Sequence, residues 1–220
     1  MGRAGSRYSR VTKLLIVRHG EAEGNREHRF IGQSDVSLTE DGRAQVEALT
    51  RRLLGVGITH VVSSDLRRAT ETVNPLAETL GIPVKTDSRL REIANGEWAN
   101  LVAADVAARW PDLWARYRDG EDVDRPGGEN WTEVQIRAVA AIEDIIAAGE
   151  DDDVVLVGTH AGPAIGILRW AIGLGPEGNV FNGPFGALHN ASISSIAVPG
   201  PRLYTVNDTG HLEGEDLLFA

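Results

Sequence analysis

The chain has 220 residues, 42% hydrophobic and 25% charged, with a net charge of −10 and no cysteine. This is the composition of an ordinary globular protein, long enough to bury a substantial core in one large or two small domains. The acidic balance argues against a general nucleic-acid binder, and the missing cysteine excludes disulfides, thiolate metal sites and cysteine catalysis.

Residues 1–11 read as a flexible tail with cations but no apolar segment behind them, so no signal peptide is expected. Thr12–Val17 is a short, branched, apolar run that predicts a buried strand. It stops abruptly at Arg18-His19-Gly20-Glu21. Ligands of open α/β sheets bind at the carboxyl ends of strands. There an arginine can hold a phosphate in bidentate hydrogen bonds, a histidine can act as nucleophile, and a glycine lets the backbone turn close to a ligand. Asn25 and Phe30-Ile31-Gly32 follow. Thr39 then caps a helix carrying Val46, Leu49, Leu53 and Leu54 on one face and ending near Gly55 or Gly57.

Ile58–Ser63 predicts a second strand, and Ser63-Ser64-Asp65-Leu66-Arg67-Arg68-Ala69 leads into a helix from Leu66 to Leu80. Pro75 inside that helix is expected to kink or split it. After Leu90-Arg91-Glu92-Ile93, residues 101–118 read as a helical excursion with Trp110, Trp114 and Tyr117, the expected lid within about residues 95–130. Gly127-Gly128-Glu129 precedes a long helix, Thr132–Ala148, and the acidic run at 150–153 reads as a solvated turn. Asp153–Val157 predicts another buried strand, followed by Gly158-Thr159-His160-Ala161-Gly162 and a helix from Pro163 to Ile172. Ala191–Val198 and Arg202–Val206 are late strands joined at Pro199-Gly200-Pro201, and 208–220 is a tail. No apolar run reaches the length of a membrane span, and a cytoplasmic protein is expected.

The alternation predicts an α/β domain over 12–207, a mainly parallel sheet with helices on both faces and a helical lid insertion. His19, Ser63-Ser64 and His160 each follow a predicted strand, so all three fall at one crevice. Phosphate-loop, dinucleotide-fingerprint and nucleophile-elbow motifs are absent.

Taken in order, these motifs closely resemble those of the histidine phosphatase superfamily, also called phosphoglycerate-mutase-like, from about residue 13 to about residue 198. The resemblance implies a metal-independent phosphomonoesterase that hydrolyses a small phosphorylated metabolite through a phosphohistidine on His19, with no cofactor. It assigns catalytic roles to Arg18, His19, Arg68, Glu92 and His160. Arg18 and Arg68 supply fixed positive charge, which also keeps His19 neutral, His160 adds a hydrogen bond or a further charge, and Glu92 protonates the leaving oxygen. Asn25 donates to the phosphate, and Ile31, Gly32 and Ala161 complete the expected substrate site.

Plainer readings compete. Arg67 reads as a surface residue, and Glu92 is alternatively half of an ion pair with Arg89 or Arg91. Glu21 is a second candidate acid, more simply a loop residue. His28, His60, His189 and His211 read as structural or surface residues. Trp98, Trp110, Trp114 and Trp131 read as core anchors, one or two of which can wall the pocket. Two departures stand out: Ala99-Asn100 follows Trp98 where many family phosphatases carry Glu-Gly, and Ala161 stands where glycine is common. The alternative activity is a cofactor-dependent phosphoglycerate mutase, whose extra basic residues are not matched by the scattered Arg116, Arg118 and Arg125. A non-catalytic phosphometabolite-binding protein is the other alternative, against which the presence of both nucleophile and acid counts. Substrate identity and self-association as a homodimer are left open.

Overall fold

Strand β1, Thr12–Arg18, lies in the middle of the sheet and is covered on both faces. Leu14 and Ile16 point into one core and Val17 into the other. In β4, Val154–Thr159, Val155 and Val157 join the first core while Val154 and Leu156 join the second. An uninterrupted apolar sequence is therefore what both strands need. The computed structural model describes residues 12–198 and 200–212. The expected tail at 1–11, most of that at 208–220 and Pro199 of the expected turn lie outside the described residues.

Strands β2, His60–Ser63, and β3, Val84–Thr86, extend the parallel part, while β5, Ile193–Val198, and β6, Arg202–Asp208, form an antiparallel hairpin on the other side. The order is β3-β2-β4-β1-β5-β6. β1 runs parallel to β4 and antiparallel to β5. The expected mainly parallel α/β sheet is thus observed. The sequence did not predict β3, and the strand expected to end at Val206 runs on to Asp208.

Helices α1, Glu40–Leu53, and α2, Arg67–Leu80, cover one face through Leu49, Leu53, Val73 and Leu76. Thr39 caps α1 as expected, its Oγ1 accepting from the Gly42 N–H at 3.0 Å. Pro75 does not divide α2. It sits on the exposed side of the helix, where the carbonyl it leaves unpaired meets water, while Val73, Leu76 and Ala77 hold the buried side.

The other face is covered by α5, Trp131–Ala148, and α6, Ala161–Ala171, through Val134, Ile142, Ile165 and Leu168. Each such side chain contributes about 1.5–3 kcal/mol on burial. A capping box between Asn130 and Glu133 starts α5.

The excursion at 101–118 is two helices, α3, Ala103–Arg109, and α4, Pro111–Arg118. Pro111 opens α4, and the residue before it, Trp110, leaves the helical region at φ −133° and ψ 63°. Both helices pack around the fully buried Trp98 with Val106 and Val123, in a small core separate from those of the sheet. Phe30, Trp110, Trp114 and Tyr117 surround it.

Candidate active site

The register that pairs Arg18 with Thr159 and Ser63 with Gly158 brings the carboxyl ends of β1, β4 and β2 side by side. The His19 N–H donates to the Thr159 carbonyl at 2.9 Å, and the Ser64 N–H to the Gly158 carbonyl at 2.8 Å. Behind His19 the chain touches the start of α1. A Cβ on Gly20 would lie 2.7 Å from the Gly42 carbonyl oxygen, and one on Gly42 would lie 1.9 Å from that of Glu21. Only glycine permits this approach.

His19 is buried, at 4% exposure. Its Nδ1 lies 2.7 Å from the Gly20 carbonyl oxygen, which can only accept, so the ring proton resides on Nδ1. The lone pair is therefore on Nε2, where the Arg68 Nε–H donates at 3.2 Å. Burial pushes the His19 pKa well below 6.5, and the Arg68 and Arg18 cations push it further, so the ring is neutral and nucleophilic at neutral pH.

His160 is fully buried behind this ring, edge-on with centroids 5.1 Å apart. Its Nε2 lies 2.8 Å from Ser64 Oγ, and its Nδ1 has no partner among the described residues. Burial, then Arg68 and then His19, hold its pKa well below 6.5. Ser64 was not singled out as a partner of His160, and nothing in its local sequence distinguishes it from Ser63.

Arg68 donates through Nη1 to the Ser34 carbonyl at 2.9 Å and through Nη2 to that of Gly32 at 2.6 Å. Burial lowers its pKa to about 10, which leaves it charged at neutral pH. Arg18 donates through Nη1 to the Leu188 carbonyl, and its Nε has no acceptor among the described residues. The two guanidiniums are thus oriented by backbone carbonyls and form no ion pair among the described residues.

The Glu92 carboxylate accepts from the backbone N–H groups of Ile93 at 2.9 Å and Gly162 at 3.3 Å. It is not the partner of its neighbours: Arg89 pairs with Asp87 and Asp144, and Arg91 with Asp65. Glu21 is engaged by Arg26 and Thr39, and Arg67 is an exposed partner of Glu71. The Asn25 Oδ1 accepts from the Ala22 N–H at 2.9 Å, which fixes the side chain at the cavity wall. Asn190, also missed from the sequence, donates through Nδ2 to the His19 carbonyl at 3.0 Å and steadies the loop from the far end of the chain.

Arg18, His19, Asn25, Ile31, Gly32, Arg68 and Glu92 line one cavity of about 210 Å³. Ala161 is the first residue of α6, half-buried and not on that wall. Phe30, Tyr117, Trp131 and Phe181 form the opposite, aromatic part, together with Arg125, which the sequence left among scattered arginines. A larger cavity of about 540 Å³ lies between the β2–β3 edge and α5, with Thr59 and His60 at its wall and none of the strand-end histidines.

A sequence profile of the histidine phosphatase superfamily (branch 1) matches residues 14–209. Glucosyl-3-phosphoglycerate phosphatase of Mycolicibacterium vanbaalenii is 35% identical over 196 residues, covering 86% of this chain and 85% of that one. The probable phosphoglycerate mutase GpmB of Erwinia tasmaniensis is 32% identical over 211 residues, covering 92% and 96%. A solved mycobacterial glucosyl-3-phosphoglycerate phosphatase superposes with a TM-score of 0.80 at 29% identity, covering 91% of this chain and all of that one.

Proposed function

The chain belongs to the histidine phosphatase superfamily, and on that premise we propose that it hydrolyses a small phosphomonoester through a phosphohistidine on His19. The observation that carries this reading is the neutral Nε2 of His19, its lone pair held by Arg68 in a cavity that also presents Arg18 and Glu92. Nε2 attacks phosphorus, the P–O ester bond breaks, and Glu92 gives a proton to the departing alkoxide. Water then attacks the phosphohistidine, Glu92 takes its proton, and the P–N bond breaks to release phosphate. Arg18 and Arg68 stabilise the charge on the phosphoryl oxygens, Asn25 donates an amide hydrogen bond, and His160 adds a further donor through its unpartnered Nδ1. Ile31 and Gly32 border the substrate.

These fixed cations supply the charge that a divalent metal would otherwise bring, so the reaction runs without metal or cofactor. The protein acts in the cytoplasm in this reading. Among the described residues no helix is long and apolar enough to cross a membrane. Light scattering separates a monomer from a homodimer.

The test is a panel of phosphate esters, glucosyl-3-phosphoglycerate and 3-phosphoglycerate among them, assayed with and without EDTA. Phosphate release should survive chelation, and alkaline quenching should trap phosphorus on His19. Loss of activity with EDTA, restored by one divalent ion, would overturn the metal-free mechanism. Isomerisation of phosphoglycerate without phosphate release would assign the chain to the mutases instead.

A further inference from the structure

Arg125 is a buried cation for which the chemistry at His19 has no use. It is 2% exposed and opens the turn Arg125-Pro126-Gly127-Gly128-Glu129 ahead of α5. Three rings enclose its guanidinium, with centroids at 4.9 Å for Trp131, 5.4 Å for Trp98 and 5.6 Å for Tyr117. The turn is locked to the loop after Glu92. The Glu97 N–H donates to the Pro126 carbonyl at 2.9 Å and the Glu129 N–H to that of Ala94 at 2.8 Å. A Cβ on Gly96 would lie 2.1 Å from the Pro126 carbonyl oxygen.

Arg125 makes no ion pair among the described residues. Its Nη1 donates to the Glu129 carbonyl at 3.1 Å, Tyr117 is a further hydrogen-bond partner, and its Nε has no acceptor among the described residues. The three carboxylates that feel its charge are bonded elsewhere, Glu129 in an ion pair with Arg137 at 2.8 Å. Asp122 accepts from the N–H groups of Trp131 at 2.7 Å and Thr132 at 2.9 Å, and Glu92 from those of Ile93 and Gly162. A buried cation without a counterion is unfavourable, and this one lines the cavity that holds His19.

We infer that Arg125 is a second anion subsite, which receives a carboxylate on the alcohol part of the phosphomonoester. A guanidinium matches a carboxylate in bidentate fashion, and a single cation balances one negative charge. The phosphoryl group, with more charge, already has Arg18 and Arg68. A shared cavity of about 210 Å³ requires the two anionic groups to be near neighbours in the substrate. This inference rests on the phosphomonoesterase reading and narrows its substrates to phosphorylated hydroxy acids and their derivatives.

The experiment compares 3-phosphoglycerate with glycerol 3-phosphate, which carries a hydroxymethyl group in place of the carboxylate. Wild type should favour the carboxylate ester. Arg125→Met, which keeps the apolar stem against the rings, should lower the ratio of the two kcat/KM values by about tenfold to a hundredfold, chiefly through KM. Arg125→Lys should restore part of that ratio. Calorimetric binding of the same two esters to His19→Ala, and to His19→Ala with Arg125→Met, repeats the comparison without turnover. A ratio unchanged by Arg125→Met would overturn the subsite and leave Arg125 a structural residue of the lid. Should that variant fail to fold, a wild-type ratio near one, or full retention of a large ratio in a variant with Arg125→Gln, would do the same. Failure of wild type to hydrolyse either ester would count against the phosphatase reading, with the binding arm still deciding the subsite.

Discussion

Arg18 and His19 line the cavity from the carboxyl end of β1, with His160 buried off its wall at the end of β4, whereas Phe30, Tyr117, Arg125 and Phe181 reach the cavity from loops and from the helical excursion. The first group is placed by strand register, by the bonds of Arg18 and His19 to the carbonyls of Leu188 and Gly20, and by the contact of His160 with Ser64. The second is placed by aromatic packing, with edge-to-face contacts from Phe30 and Tyr117 to Trp98 at 5.4 and 5.5 Å and from Phe181 to Trp131 at 5.0 Å. In the proposed mechanism, the chemistry common to every substrate is thus built on the strand ends of the central sheet. Selectivity is built where length and composition can change without disturbing the sheet.

That division can be broken most directly at the nucleophile. His19→Ala should lower kcat at least about a thousandfold on every ester alike, since His19 is the only imidazole among the described residues lining the cavity. Near-normal activity would move the chemistry off the strand ends. The converse probe is Trp98→Ala, which should destabilise the protein by about 3–5 kcal/mol in urea unfolding because it empties the centre of the lid core. Trp110→Ala, at a half-buried position, should cost less.

Two variants of the charged wall sharpen the comparison within it. Arg68→Ala should depress aryl and alkyl phosphates by a similar factor, roughly a hundredfold for one lost electrostatic donor. Glu92→Gln should lose about a hundredfold on alkyl phosphates and far less on p-nitrophenyl phosphate, whose leaving group departs without a proton. Equal losses on both esters would reduce Glu92 to a positioning residue.

The smallest effect is a pH dependence of stability. His19 and His160 are held well below 6.5 in the fold, whereas in the unfolded chain they protonate near 6.5. Below that pH the unfolded chain binds more protons, so stability falls as pH drops from about 6.5 toward the depressed folded values and is level above it. The slope reaches about 1.4 kcal/mol per pH unit for each imidazole. Urea titrations at successive pH values measure it, and His160→Gln should make it shallower.

β1, β2 and β4 were legible because a strand buried on both faces must be apolar throughout, and the motifs at their ends carried the site with them. β3 was not: three residues at the sheet edge, none of them buried, are too few to show a period. The split allowed for at Pro75 does not occur because a proline on the wet side of a helix with an anchored opposite face need not end it. Arg125 escaped notice for a different reason. Its environment is assembled from Trp98, Tyr117 and Trp131, three positions that no local pattern joins. Ser64 and Asn190 likewise acquire their partners only through the sheet.

The pairing of β1 with strands made much later also has a cost in time. Arg18 is anchored by the carbonyl of Leu188, 170 residues away, and the carbonyl of His19 by Asn190. Both neighbours of β1 in the sheet, β4 and β5, begin beyond residue 150. On a ribosome adding 5–20 residues per second, the apolar strand that leads into His19 emerges roughly 10–30 s before its anchors exist. During that interval the nascent segment is an unpaired, aggregation-prone edge and His19 has no cavity around it, so completion of the site is a late event of synthesis.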